Sequence, residues 1–195
     1  RARPPVAPPP APEREKLECD VLFVGAGPAG LAGAIHLADL IARHDRAIGA
    51  GAPGKPLGEV SIAVLEKAAR VGAHGFSGAV LDPRALRELM PDFREQGCPI
   101  ESEVTQDDVY ILWRDGQLRL PLLPPMLDNH GNLVISLGNF VAWLAQIAEA
   151  KGVFVVTETP AAQPLVEGGR VLGVRTGDKG VDRRGERKPN FQPGA

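Results

Sequence analysis

The chain has 195 residues, of which 44% are hydrophobic and 24% are charged, and this composition excludes a globally disordered protein. The formal net charge of −2 offers no basic surface for nucleic acid, so we expect no nucleic-acid partner. The two cysteines, Cys19 and Cys98, are too few for a disulfide scaffold, a zinc ribbon or a self-contained iron–sulfur site. No apolar run approaches the roughly 18 residues that a membrane span needs.

A proline-rich segment opens the sequence. Six of its first twelve residues are proline, which predicts a disordered, polyproline-leaning tail over residues 1–16. Its arginine and alanine content also resembles a transit peptide, but serine and an amphipathic period are missing, so this is the weaker interpretation. Because the first residue is Arg1 rather than Met, we expect a chain that was processed, trimmed or excised.

One strand–turn–helix–strand unit follows the tail. Residues 21–24 (VLFV) and 60–65 (VSIAVL) are short, continuous apolar runs, typical of strands that are buried on both faces of a parallel sheet. Apolar residues recur at helical spacing over residues 31–44, and the glycine- and proline-rich residues 45–59 predict a loop. The pattern indicates a parallel βαβ unit and therefore an α/β fold.

The turn after the first strand has the pattern GxGxxG. Its residues are Gly25, Ala26, Gly27, Pro28, Ala29 and Gly30. Gly25 permits the tight turn, Gly27 lets the backbone approach a pyrophosphate, and Gly30 lets the helix pack close to the strand. Pro28 loses no hydrogen bond at a helix start, where the helix dipole also favours an anion. The turn therefore predicts a binding site for the diphosphate of a dinucleotide cofactor.

Glu66 ends the second strand, where a carboxylate can accept both hydroxyls of an adenosine ribose. It would repel a 2′-phosphate, which argues against NADP. Glu66 lies 36 residues after Gly30, against about 20 in the compact motif, and the excess fits in the loop over residues 46–58. The alternative interpretation is an exposed glutamate at a strand end.

Small residues follow Glu66 and suit a long cofactor that is wrapped beyond its diphosphate. We therefore predict FAD, with contacts on the flavin side from Gly72, Ser77 and Gly78, and Lys67 as a further cofactor-binding residue. His74 lies in the same segment, either near the flavin or as a hydrogen-bonding loop residue. Ser77 is not a hydrolase nucleophile, because GxSxG requires glycine where Ala79 stands. We name no catalytic acid or base.

The remaining residues predict further elements around this unit. Asp82 as N-cap and Pro83 as first helical residue predict a short helix over residues 81–91, and Asn139 caps a second helix that runs to Gly152. The apolar stripe of the first helix is interpreted as core packing or as a membrane contact. The predicted strands cover residues 133–137 and 153–156, and the predicted hairpins cover residues 109–120 and 165–174. Residues 176–195 are predicted to be irregular.

Four stretches of the sequence resemble electron transfer flavoprotein–ubiquinone oxidoreductase, in the flavoprotein group that includes FixC-type and geranylgeranyl-reductase-like enzymes. They are DVLFVGAGPAGLAGAIHLA, VLEKAARVGAHGFSGAVLDPRALRELMPDF, LPPMLDNHGNLVISLGNFVAWLAQIAEAKGV and GRVLGVRTGDKGV. The resemblance implies an incomplete, Rossmann-like FAD-binding domain of the glutathione-reductase type over residues 17–175, with hairpin and mixed-sheet elements.

The resemblance also implies a function. Enzymes of this family take electrons from reduced electron transfer flavoprotein and pass them to ubiquinone at the surface of a bacterial or mitochondrial inner membrane. They use FAD and one [4Fe–4S] cluster, whose cysteines lie in a C-terminal region that this chain does not contain. We therefore do not expect the 195 residues to turn over alone. The alternatives are a geranylgeranyl-reductase-like enzyme or hydroxylase of the same group, and a non-catalytic remnant.

Overall fold

The computed structural model describes residues 14–75, 77–122, 124–181 and 186–195, so most of the predicted tail lies outside the described residues. Within these ranges the helices are α1 (Pro28–Gly49), α2 (Arg84–Leu89) and α3 (Leu137–Ala150), with a 3₁₀ turn at Pro125–Leu127. The strands are β1 (Val21–Val24), β2 (Ile62–Leu65), β3 (Ser77–Leu81), β4 (Ile100–Glu103), β5 (Tyr110–Trp113), β6 (Gly116–Arg119), β7 (Leu133–Ser136), β8 (Phe154–Val156), β9 (Ala161–Glu167), β10 (Arg170–Thr176), β11 (Lys179–Val181) and β12 (Arg187–Gln192).

A parallel sheet with the strand order β1-β2-β8 carries the predicted βαβ unit. Phe23 of β1 is in register with Val64 of β2, which is in register with Val155 of β8. The ring of Phe23 reaches Gly33 of α1, and α3 packs beside α1 against β8. The prediction that the two apolar runs pair in parallel is confirmed, which puts the turn after β1 beside the end of β2.

Helix α1 is longer than predicted, and β2 is shorter. The helix continues through Arg46, Ala47 and Ile48 to Gly49, because none of these residues breaks a helix. It stops where Gly51 adopts a φ of +98°, in the left-handed region that glycine enters without strain. Of the predicted loop over residues 45–59, the first five residues are therefore helical and the last ten are not. Strand β2 begins at Ile62 instead of residue 60.

A second, antiparallel sheet has the strand order β3-β7-β4 and packs against α3. Helix α2 is shorter than predicted because Leu81 belongs to β3 and Pro83, instead of Asp82, is the N-cap residue. Of the two interpretations of its apolar stripe, the structure agrees with core packing, because Leu86, Met90 and Phe93 are buried in the main hydrophobic cluster. The prediction for α3 was also wrong at its start, since Ser136 and not Asn139 is the N-cap.

Three antiparallel strand pairs complete the described chain. The two predicted hairpins are confirmed as β5–β6 and β9–β10. Residues 176–195 differ from the prediction, because β11 and β12 pair there although their sequence is polar. Residues 14–16 form no helix or strand, but Arg14 donates to Asp178 at 2.6 Å and to the carbonyl of Gly194 at 3.1 Å, so this part of the predicted tail is bound to the fold.

Candidate functional site

The glycine turn has the close backbone approach that its sequence predicts. Gly25 has a φ of +102°, and its N–H donates to the carbonyl of Leu65 at 2.8 Å, which extends the β1–β2 ladder by one bond. A Cβ added to Gly30 would lie 2.2 Å from the carbonyl oxygen of Gly25, so only glycine fits there. The first turn of α1 is therefore held directly against the end of β1.

Neither backbone strain nor packing within the protein requires a glycine at position 27. It is the exposed N-cap of α1, in extended conformation, and a Cβ added to it would meet no atom within 4 Å. Pro28 occupies the first helical position, where its missing N–H leaves no unpaired donor. The first hydrogen bond within the helix runs from the Leu31 N–H to the Gly27 carbonyl. The N–H groups of Ala29 and Gly30 precede it and have no acceptor within the helix, so they point away from its N-terminal end.

An anion fits this helix start. Within the described residues no side chain caps α1, and its first turn carries no acidic residue. The open space at Gly27, the N–H groups that precede the ladder and the positive end of the helix dipole together match a diphosphate group. Residues 25–30 would hold the diphosphate of a dinucleotide through main-chain N–H groups rather than through charged side chains.

Glu66 lies at the end of β2, beside the turn, and is half-buried. Its carboxylate accepts two main-chain hydrogen bonds, from the Ala26 N–H at 3.2 Å and from the Ala68 N–H at 2.8 Å. A carboxylate offers about four acceptor positions, so two remain that could accept ribose hydroxyls. The ribose contact of Glu66 stays a prediction, whereas its contact with the turn was not anticipated from the sequence.

Lys67 and the predicted flavin-side residues Gly72, Ser77 and Gly78 lie in three different environments. Lys67 is exposed. Gly72 has a φ of +82° and packs so closely that an added Cβ would lie 2.2 Å from the carbonyl oxygen of Gly138, at the start of α3. Ser77 and Gly78 begin β3, where the backbone of Ser77 is in register with Ser136. Protein packing thus explains the glycine at 72, and the flavin contacts of these residues remain predictions.

A cleft that the sequence did not predict adjoins the turn. It has a volume of about 480 Å³ and lies between α1, α2 and α3. Pro28 and Ala29 form its edge at the glycine turn, and Leu86 and Phe140 contribute to its apolar wall. Its walls come from three helices that are far apart in the sequence, so no local pattern could have revealed it.

Metal-binding groups do not converge within the described residues, where no set of three or more His, Cys, Asp or Glu side chains could hold an ion. Cys19 is exposed. Cys98 is buried, and this burial raises the pKa of its thiol.

The arrangement of sheet, glycine turn and helix occurs in solved flavoenzymes. A geranylgeranyl bacteriochlorophyll reductase-like protein from Thermoplasma acidophilum covers 81% of this chain with a TM-score of 0.57 and 23% identity, over 34% of its own length. The chondrochloren halogenase CndH, a variant of FAD-dependent halogenases, covers 86% of this chain with a TM-score of 0.50 and 20% identity, over 34% of its length. The chain therefore has the Rossmann-like fold of FAD-binding flavoenzymes, as predicted.

Comparison of sequences indicates a narrower group of proteins than comparison of folds does. The mitochondrial electron transfer flavoprotein-ubiquinone oxidoreductase of Bos taurus is 42% identical over 184 residues, which is 93% of this chain and 28% of that protein. The Pseudomonas aeruginosa enzyme of the same name is 45% identical over 183 residues, which is 92% of this chain and 31% of that protein. No protein-family model matches the chain. The predicted resemblance to electron transfer flavoprotein–ubiquinone oxidoreductase is confirmed, and the chain spans about three tenths of the length of these relatives.

Proposed function

We propose that the chain is the FAD-diphosphate-binding part of an electron transfer flavoprotein–ubiquinone oxidoreductase, an enzyme that passes electrons from reduced electron transfer flavoprotein to ubiquinone. The observation that supports this proposal most strongly is the glycine turn, which is open at Gly27 and closed against β1 at Gly30. Sequence identity of 40–45% to enzymes of that name favours this function over those of other flavoenzymes.

The residues of this chain hold and orient the cofactor in the proposal. Main-chain N–H groups of Gly27, Ala29 and Gly30 bind the diphosphate, and Glu66 accepts the ribose hydroxyls. Gly72, Ser77 and Gly78 contact the flavin side, and Lys67 is a further cofactor-binding residue. FAD supplies the electron-transfer chemistry when it is bound. The buried sheet and α1 keep the turn rigid, so that the cofactor has one orientation. The [4Fe–4S] cluster of the family is proposed to be bound by residues other than those of this chain.

The binding step can be tested with a variant that leaves the protein packing unchanged. We expect the chain to bind FAD, measured by quenching of flavin fluorescence on titration. Gly27→Ala places a methyl group where the diphosphate lies and should weaken binding at least about tenfold, since the N–H groups would be held off the phosphates. Gly49→Ala is the matched control: it lies at the other end of the same helix, where an added Cβ also meets nothing within 4 Å.

Two outcomes would contradict the proposal. One is a folded, wild-type chain that stays colourless and leaves flavin fluorescence unchanged, which is expected of a non-catalytic remnant. The other is equal flavin affinity of the Gly27→Ala and Gly49→Ala variants. The electron-transfer step is tested in the complete enzyme that contains this domain, by following quinol formation from reduced electron transfer flavoprotein and a soluble ubiquinone.

We also propose a peripheral contact with the membrane surface. The β5–β6 hairpin exposes Ile111, Leu112, Trp113 and Leu118, and the next segment exposes Leu122 and Met126. Ile111 is paired with Leu118 across the hairpin, so these two exposed side chains and that of Trp113 lie on the same face of it. An exposed apolar patch of this kind is typical of a protein or membrane contact. Within the described residues, no helix has the length and hydropathy that a membrane span requires.

A vesicle flotation assay tests the membrane contact. Leu118→Glu should reduce the fraction of protein that floats with vesicles of mitochondrial or bacterial inner-membrane lipids, because it places a charge beside Ile111 in the apolar patch. Leu172→Glu is the control, since Leu172 is exposed to a similar extent, 61% against 53% for Leu118, on the β9–β10 hairpin. Equal flotation of the two variants would contradict the proposal.

A further inference from the structure

Glu66 has a place in the structure that binding of a ribose does not explain. From its contacts we infer that the Glu66 carboxylate positions the glycine turn for the diphosphate, independently of any contact with the ribose. This inference rests on the proposed function, since the positioned turn is the proposed diphosphate site. Glu66 is in this respect a positioning residue, acting through the main chain of Ala26.

The side chain of Glu66 continues the hydrogen-bond ladder between β1 and β2. Val24 pairs with Leu65, and the next bond runs from the Gly25 N–H to the Leu65 carbonyl at 2.8 Å. The following donor is the Ala26 N–H, which reaches the Glu66 carboxylate at 3.2 Å instead of a main-chain carbonyl. The main chain of Glu66 is bonded to β8 and to the segment after it. Its N–H donates to the Val156 carbonyl, and its carbonyl accepts from the Thr159 N–H, both at 2.8 Å.

The carboxylate is also held from its other side. Its second oxygen accepts from the Ala68 N–H at 2.8 Å, and the Ala68 carbonyl accepts from the Glu158 N–H at 2.8 Å. The side chain therefore links the turn after β1 with the segments after β2 and after β8. These are the three places where the carboxyl ends of the parallel strands meet.

Ala26 depends on this contact because it is buried. Only 2% of its surface is exposed, so its N–H has little access to water, and a buried donor without an acceptor is destabilising. Ala26 lies between Gly25 and Gly27, whose conformations direct the outward-facing N–H groups. Without the carboxylate, the turn gains freedom to rotate the Ala26 N–H toward another acceptor, and the donors around Gly27 lose their common direction.

A nucleotide without ribose hydroxyls separates the two roles of Glu66. In Glu66→Gln an NH₂ group, which is a donor, replaces one of the two accepting oxygens, so only one of the two N–H groups keeps an acceptor, and that bond is no longer charge-assisted. We expect this variant to bind 2′,3′-dideoxy-ADP about tenfold more weakly than wild type in titration calorimetry, an effect of the size of one lost charge-assisted hydrogen bond. Glu95→Gln, an exposed glutamate outside the site, should bind as wild type does.

A second readout needs no nucleotide. Amide hydrogen exchange at Ala26 in the unliganded chain should be faster in Glu66→Gln than in Glu95→Gln, because the bond that the Ala26 N–H donates is either lost or no longer charge-assisted. The inference is overturned if Glu66→Gln loses affinity for ADP but binds the dideoxy nucleotide as wild type does, or if Ala26 exchanges at the same rate in both variants. A wild-type chain that binds neither nucleotide would instead overturn the proposed function, and this inference with it.

Discussion

Gly30→Ala is the substitution whose effect follows most directly from the structure. The added Cβ would lie 2.2 Å from the Gly25 carbonyl oxygen, which is 1.2 Å short of the 3.4 Å at which ordinary contact begins. The carbonyl cannot easily retreat, because the N–H of Gly25 is bonded to Leu65 at the end of the sheet. Helix α1 must therefore move away from β1, or the turn must open.

The size of the effect is the difference between two terms. Alanine is favoured over glycine in a helix by about 1 kcal/mol. Overpacking a site that cannot relax is destabilising by about 3 kcal/mol. We therefore expect Gly30→Ala to lower the free energy of unfolding by about 2 kcal/mol. Gly49→Ala, in the same helix but with no atom within 4 Å of the added Cβ, should leave stability unchanged or raise it by up to about 1 kcal/mol.

Urea unfolding followed by tryptophan fluorescence measures this difference. Trp143 is buried in α3, and its indole N–H donates to the Gln96 carbonyl at 2.9 Å, so its emission reports the loss of the core. Equal unfolding midpoints for the Gly30→Ala and Gly49→Ala variants would refute the close approach of α1 to β1. Without that approach, the argument for a fixed glycine turn would also fail.

Two further predictions concern ionisable groups. Hydrogen bonds from the hydroxyl and the N–H of Ser61 lower the pKa of Asp20, so this carboxylate stabilises the fold above the unfolded-state pKa of about 3.9 and loses its contribution as the pH falls through the lower, folded-state pKa. Asp20→Asn should therefore flatten the loss of stability below about pH 4 in urea titrations, and a profile as steep as that of wild type would contradict this. At pH 8 Ellman's reagent should modify one thiol quickly in the native chain, because Cys19 is exposed while burial raises the pKa of Cys98; a Cys19→Ser variant that keeps the fast phase would be inconsistent with this assignment.

The sequence predicted those parts of the fold that depend on local patterns. The apolar runs of β1 and β2, the glycine turn between them and the β5–β6 and β9–β10 hairpins are specified by residues that are close in the chain. Element ends were less predictable. Helix α1 continues into the expected loop because Arg46–Ile48 do not break a helix, and the strands β11 and β12 leave no apolar periodicity in the sequence.

The same distinction applies to the candidate site. The roles of Gly25 and Gly30 could be predicted because a GxGxxG turn after a strand restricts the backbone in a known way. The contacts of Glu66 with Ala26 and Ala68 depend on how far β1 and β2 extend relative to each other, which the sequence does not specify. The contact of Gly72 with Gly138 joins segments from two sheets and could be found only in the structure.

That last contact limits how residues 72–75 can move. Added Cβ atoms at Gly72 and Gly75 would lie 2.2 Å and 2.9 Å from main-chain atoms of Gly138, so peptide meets peptide there with no side chain in between. Side chains can change rotamer to absorb a displacement, whereas two backbones in contact cannot. A displacement of the backbone at the start of α3 would therefore displace residues 72–75 by nearly the same amount.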